Sequence, residues 1–199
     1  MGGAAGAAPL CPSPGMKPLL LFARATDALN EYLGRALSWV TLGMVLFIFV
    51  LVLMRYVFGL GSTKMQEAVL YMHSVVFLAC AGYTLLHNGH VRCDIFYSAA
   101  TPRRKALIDL VGVFLFLLPT CILIFWVGWP YVKASWSVLE GSIEGAMGIH
   151  GVYLLKSLIL VFAGLVGLQG ISLAIHSALL LAGVETTRGT LDEKHRNAP

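Results

Sequence analysis

Histidine, cysteine and carboxylate groups are the residues of this chain that could ligate a metal or move protons, and their spacing tests each chemistry in turn. His73 and His87 are 14 positions apart. On one helix that is nearly four turns, so the two share a face about 21 Å apart. Stacked haems use such a pair, but each haem needs a second histidine from a facing helix. The last apolar stretch offers only His176, and Phe162 and Ala163 stand where the other ligand belongs. Haem ligation lacks its partners. His87, His90, Cys93 and Asp94 have the residue types for a metal site. Their spacing is loose, and hydrogen-bonded loop residues explain them better. No cofactor or metal is expected.

The remaining charged groups sit at the ends of apolar stretches. Arg55 closes the first and Glu67 opens the second at the same depth, which predicts an ion pair across a tight hairpin. Glu140, Glu144 and Lys156 gather before and just inside the last stretch. A charge there needs a partner or a route to water. The chain has no nucleophile–base arrangement, no phosphate-cradling glycine loop and no carboxylate pair. No enzyme is expected.

The elements that position these groups follow from four uncharged runs, Ala36–Met54, Ala68–Leu86, Leu110–Val132 and Ser157–Val184. About 20 helical residues cross a hydrocarbon core of about 30 Å, so each run is long enough to span. Mean hydropathy of +0.80 excludes an ordinary soluble domain, whose amphipathic helices would break such runs. The fold class is all-α integral membrane. Four transmembrane helices, at about 36–56, 67–87, 107–130 and 153–182, build a bundle over 36–184. An amphipathic helix over 17–35 precedes it, with Leu21, Ala25, Ala28, Leu29, Tyr32 and Leu33 on one face. Beside a spanning helix such a segment lies flat at the membrane surface. Residues 1–16 read as a disordered leader without signal-peptide character, and 185–199 as a tail.

Basic residues set the orientation. Lys17, Arg24, Arg35, Arg92, Arg103, Arg104, Lys105, Arg188, Lys194 and Arg196 fall on one side. Arg55, Lys64, Lys133 and Lys156 fall on the other. The positive side stays in the cytoplasm, giving N-in/C-in. The basic residues form no single patch, so nucleic acid is not a partner. Trp126, Trp129, Tyr131 and Trp136 make an aromatic belt at the opposite interface. Cys80 and Cys121 lie inside apolar runs, and no disulfide is expected. Thr101-Pro102 marks a helix start, and Pro119 should bend the third span. In the fourth span, Ala163, Gly167, Gly170 and Ala174 form a small-residue ridge beside Gln169. It fits either a docking face for another membrane protein or packing inside the bundle.

Several motifs together resemble a known family. Arg55-Tyr56-Val57-Phe58 closes the first span and Gln66-Glu67 opens the second. Gly89-His90-Val91-Arg92-x-Asp94 follows it. In this order they are similar to the small membrane subunit of tripartite ATP-independent periplasmic (TRAP) transporters, the DctQ-like family. Trp129-Pro130-Tyr131-Val132, Glu140-Gly141-Ser142 and Tyr153-Leu154-Leu155-Lys156-Ser157-Leu158 look like the branch labelled for mannitol or chloroaromatic compounds. Many members carry a tryptophan before an acidic pair where this chain has Lys64-Met65-Gln66-Glu67. The resemblance implies a non-catalytic scaffold for a large permease subunit. It also implies a periplasmic binding protein that delivers an organic acid, and sodium-driven uptake across a bacterial inner membrane. On this reading Gly89, His90, Arg92 and Asp94 fix the inner loop. Ala163, Gly167, Gln169, Gly170 and Ala174 would pack on the large subunit, and Glu140, Glu144 and Lys156 would meet the binding protein. The alternatives are a haem-bearing or anchoring subunit of a respiratory enzyme and a small exporter working as a homodimer. The first predicts a Soret band, and the second an essential acid deep in the membrane.

Overall fold

The computed structural model describes residues 16–87, 89, 101–142, 145 and 148–182. Its elements run α1 (Lys17–Tyr56), α2 (Thr63–Ala79), α3 (Ala81–Leu86), α4 (Pro102–Gly112), a π-helical turn (Val113–Leu117), α5 (Leu118–Ser137) and α6 (Val152–Leu181). No strand occurs among the described residues. Among the described residues the chain is all-helical, with four helical stretches long and apolar enough to cross a membrane: Lys17–Tyr56, Thr63–Leu86, Arg103–Ser137 and Val152–Leu181.

One expectation is corrected at the start of the chain. Residues 17–35 do not form a separate surface helix. They continue without a break into the first span, and the single helix has 40 residues. At 1.5 Å per residue it measures about 60 Å, twice a hydrocarbon core. Its buried residues are Ala23, Thr26, Asn30 and Gly34, spaced three and four apart. The apolar face predicted from the sequence points away from the bundle, with Leu21 and Tyr32 each more than 70% exposed. The polar side turns inward because it finds hydrogen-bonding partners there, whereas leucines can meet lipid without loss.

The α2–α3 pair reads as one span interrupted at Cys80, whose φ of −78° and ψ of −7° loosen a single turn. Ser62 caps α2 by accepting from the Met65 N–H. The helix predicted to begin at Thr101-Pro102 does so. Thr101 takes the extended N-cap conformation, although its hydroxyl makes no capping bond. Ahead of Pro119 the helix widens into the π-helical turn, where the Leu118 N–H reaches the Val113 carbonyl. A proline lacks the N–H of a regular turn and its ring crowds the carbonyl four residues back, so a local widening accommodates it. The buried seam registers the widening. Ala106 and Val113 are seven residues apart, Val113 and Cys121 eight, and Cys121 and Gly128 seven again.

Helix α6 is the hub and touches every other span. It begins at Val152 and ends at Leu181, close to the predicted 153–182. Its side chains Val166, Leu173 and Ala174 join Leu85, Val113 and Cys121 in the main apolar core. A second cluster sets Ala23 against Ile175 and Leu179. Helix α1 runs antiparallel to α6, with Ala23 level with Ile175 and Asn30 level with Gln169. The start of the first span and the end of the last therefore lie at one end of the bundle. We call it the termini end, and the opposite one the hairpin end.

Candidate functional site

Two groups of polar side chains, one at each end of the bundle, hold the helices together. At the termini end, Asp27 and Asn30 lie on one side of α1. Gln169, Ser172 and His176 lie three and four residues apart on α6, so they form one polar stripe on an otherwise apolar helix. The stripes meet. Asn30 donates from Nδ2 to Gln169 Oε1 at 2.7 Å. Gln169 donates from Nε2 to Asp27 Oδ1 at 2.8 Å, and Ser172 donates to the same oxygen at 2.7 Å. His176 Nε2 lies 3.1 Å from Asp27 Oδ2. Gln169, Asn30 and Ser172 are fully buried. A partly buried carboxylate such as Asp27, 24% exposed, is stabilised when such donors stand in for the water it gives up. The sequence reading found no acid deep in the apolar runs. Asp27 enters the bundle from outside those runs, and both of its carboxylate oxygens face partners on α6.

One turn along α1, Glu31 repeats the arrangement toward α3. Its carboxylate accepts from Arg35 Nε at 2.8 Å, an i,i+4 pair, and lies 2.7 Å from His87 Nε2. The approach of α1 to α3 is close. A Cβ on Gly34 would strike the Tyr83 ring, and one on Gly82 would strike the Asn30 amide. Asn30 Oδ1 packs against Gly82, and neither it nor His176 Nδ1 makes a hydrogen bond within the described residues.

At the hairpin end, α5 closes in a Schellman turn. The Glu140 N–H returns to the Ser135 carbonyl at 3.1 Å and the Leu139 N–H to the Trp136 carbonyl at 3.3 Å. Leu139 takes the left-handed position with φ of 44°, where glycine is usual. This turn aims Glu140 at α6. Its Oε2 accepts from Lys156 Nζ at 2.5 Å and from the Ser135 hydroxyl at 2.6 Å. The Lys156 ammonium also lies 4.2 Å from the Tyr131 ring centroid. The hydrogen bond from Lys156, then that from Ser135, hold the Glu140 carboxyl below its ordinary pKa. Trp136 Nε1 donates to Ser157 Oγ at 2.9 Å and meets Tyr153 edge-on.

The predicted Arg55–Glu67 ion pair is not formed. Glu67 accepts from the Ser142 hydroxyl and from the Ile149 N–H at 2.5 Å. These donors come from the loop before α6, and they occupy both carboxylate oxygens. Arg55 stays exposed. Expectation and structure also part at the small-residue ridge. Ala163, Gly167, Gln169, Gly170 and Ala174 are all buried inside this chain. Gly170 makes room for Leu117, Gly167 lies against Cys121, and Gln169 is consumed by Asn30 and Asp27. The ridge is therefore no free face for another subunit. Glu140 and Lys156 come together with each other, and Glu144 lies outside the described residues. Gly89 donates to the Thr84 carbonyl at 2.8 Å and so closes α3. His90, Arg92 and Asp94 lie outside the described residues.

Sequence reasoning missed Asp27, Asn30, Ser172 and the Glu31–His87 pair. The signal was present as polar positions three or four apart within a small-residue stripe, Ala23–Asp27–Asn30–Gly34. Among the described residues no three His, Cys, Asp or Glu side chains gather as a metal site. The three histidines that the haem reading needed have different neighbours. His73 stacks on Phe77, His87 meets Glu31, and His176 meets Asp27.

Lipid-length helices tied to one another by their own polar groups define a multi-pass membrane protein. No curated protein and no solved structure matches the chain. Residues 44–180 match the family described as tripartite ATP-independent periplasmic transporters, DctQ component. The match covers well over half of the sequence, and the chain belongs to this family of TRAP transporter small permease subunits.

Proposed function

We propose that this chain is a non-catalytic scaffold that braces a large permease subunit in a bacterial inner membrane. It lies with both termini in the cytoplasm. A periplasmic binding protein delivers an organic acid to the assembly, and the sodium gradient drives uptake. One observation carries the reading. Asp27, the acid that reaches between α1 and α6 among the described residues, accepts from Gln169 and Ser172 and lies 3.1 Å from His176, so it serves to fasten the two helices. The apolar hollow of about 310 Å³ lined by Leu110, Val111, Phe114 and Leu115 offers no group to hold a carboxylate. The positive charge at the termini end supports the orientation, and the family supports the partners. In this arrangement Glu140 and Lys156 act on the binding protein as a joined pair, and Glu144 contributes to the same contact. His90, Arg92 and Asp94 shape the cytoplasmic loop.

The test is co-purification with the large permease in mild detergent, followed by sodium-dependent uptake in reconstituted vesicles. Uptake is expected only when both subunits and the binding protein are present. Transport by this chain alone would overturn the reading.

A further inference from the structure

The exposed large side chains along the apolar stretches of α1 and α5 are mainly Leu, Ile, Val, Phe and Trp, which lipid covers without cost. Helix α2 differs. Gln66, Leu70, His73 and Phe77 recur at steps of four, three and four, so they line one face, and all four are exposed. Leu70 is 54% exposed and Phe77 is 70%. His73 lies ten residues from the start of Thr63–Leu86 and thirteen from its end. That places its ring about 15 Å from the nearer end of the span, near the middle of a hydrocarbon core. Phe77 stacks on one side of the ring, with centroids 6.1 Å apart. No hydrogen bond reaches either ring nitrogen within the described residues.

An imidazole always carries at least one N–H donor and, when neutral, one acceptor. Stranded in hydrocarbon these groups are costly, and histidine is too short to snorkel to the headgroups as lysine does. A mid-membrane histidine turned away from its own bundle is balanced when a neighbouring helix supplies its partner. We infer that the stripe Gln66–Leu70–His73–Phe77 is the seam against the large permease subunit, with His73 hydrogen-bonded to a polar group on one of its helices. This rests on the proposed subunit role. The family description makes the chain one component of a tripartite assembly, which favours a different polypeptide over a second copy. Leu70 and Phe77 supply the apolar contact around the bond, and Gln66 forms its rim.

The experiment uses the full chain co-expressed with its large permease. A photo-crosslinking residue at Leu70 or Phe77 is expected to give an adduct with the permease, whereas one at Ile122 on α5 is not. His73→Leu should weaken the complex about three- to thirty-fold, while the isolated chain unfolds at the same temperature or higher. His73→Gln should recover most of the affinity. Crosslinks from α2 only to lipid or to a second copy, or undiminished binding by His73→Leu, would overturn the seam. Intact co-purification with a silent α2 face sinks the seam alone. Failure of the wild-type chain to co-purify sinks the subunit role, and the seam falls with it.

Discussion

The two ends of the bundle solve the same problem in different media. Each draws helices together through a carboxylate that gathers donors. At the termini end, Asp27, with 24% of its side chain exposed, collects Gln169, Ser172 and His176, and the flanking Asn30 and Gln169 have no exposed surface. At the hairpin end, Glu140 collects Lys156 and Ser135 while more than a third of its own side chain stays exposed. The lesson concerns the cost of failure. Lys156, with 16% of its side chain exposed, can turn to water if it loses Glu140, but the amide of the fully buried Gln169 cannot if it loses Asp27.

Removing the central acceptor is the hardest blow to that contrast. Asp27→Ala takes the acceptor from Gln169 Nε2 and the carboxylate from beside His176, while the Ser172 hydroxyl keeps the Ala23 carbonyl at 3.3 Å, and it should cost roughly 2–4 kcal/mol of stability. Thermal unfolding in detergent reads it, and a loss no larger than that of Glu140→Ala would erase the distinction between the ends. Crowding comes next. Gly82→Ala pushes against a fully buried Asn30 that is held by Gln169, and should cost about 1–3 kcal/mol. Leu139→Gly changes stability in the opposite direction. It relieves a left-handed leucine and should stabilise the protein by about 1 kcal/mol, read as a higher melting temperature.

Acid provides the gentlest test. The Glu140 pKa is lower in the folded than in the unfolded chain, so its contribution is present above the ordinary carboxylate pKa. It fades as pH falls through the folded value. Wild type and Glu140→Gln should differ in melting temperature at neutral pH and converge in acid. A gap that persists at low pH would show that the ion pair is not its source.

Much of this fold can be read from the sequence because apolar length is a one-dimensional property. The fourth span, the Pro102 helix start and the Glu31–Arg35 pair all follow from local rules. Side-chain partnerships follow different rules. Arg55 and Glu67 share a depth, yet Glu67 turns to Ser142 and Ile149, far away in sequence. Nothing local announces which of two nearby donors a carboxylate will face. Leu21, Leu29 and Tyr32 formed an unmistakable apolar stripe, and in a soluble protein it would be the buried side. In lipid the argument reverses, because the polar side is the one that needs shelter. The family match begins at residue 44, so Asp27 and Asn30 lie outside it while Gln169, Ser172 and His176 lie within.

The π-helical turn before Pro119 carries a further consequence. Seam residues sit seven apart before it, eight across it and seven after it, so the widened turn holds one surplus amino acid. Such a loop of slack works like a leap day. It lets two stretches of regular helix keep their own calendars and still agree on which side faces home. Deleting a single residue between Val113 and Leu117 would shorten the protein without rotating either stretch relative to the other.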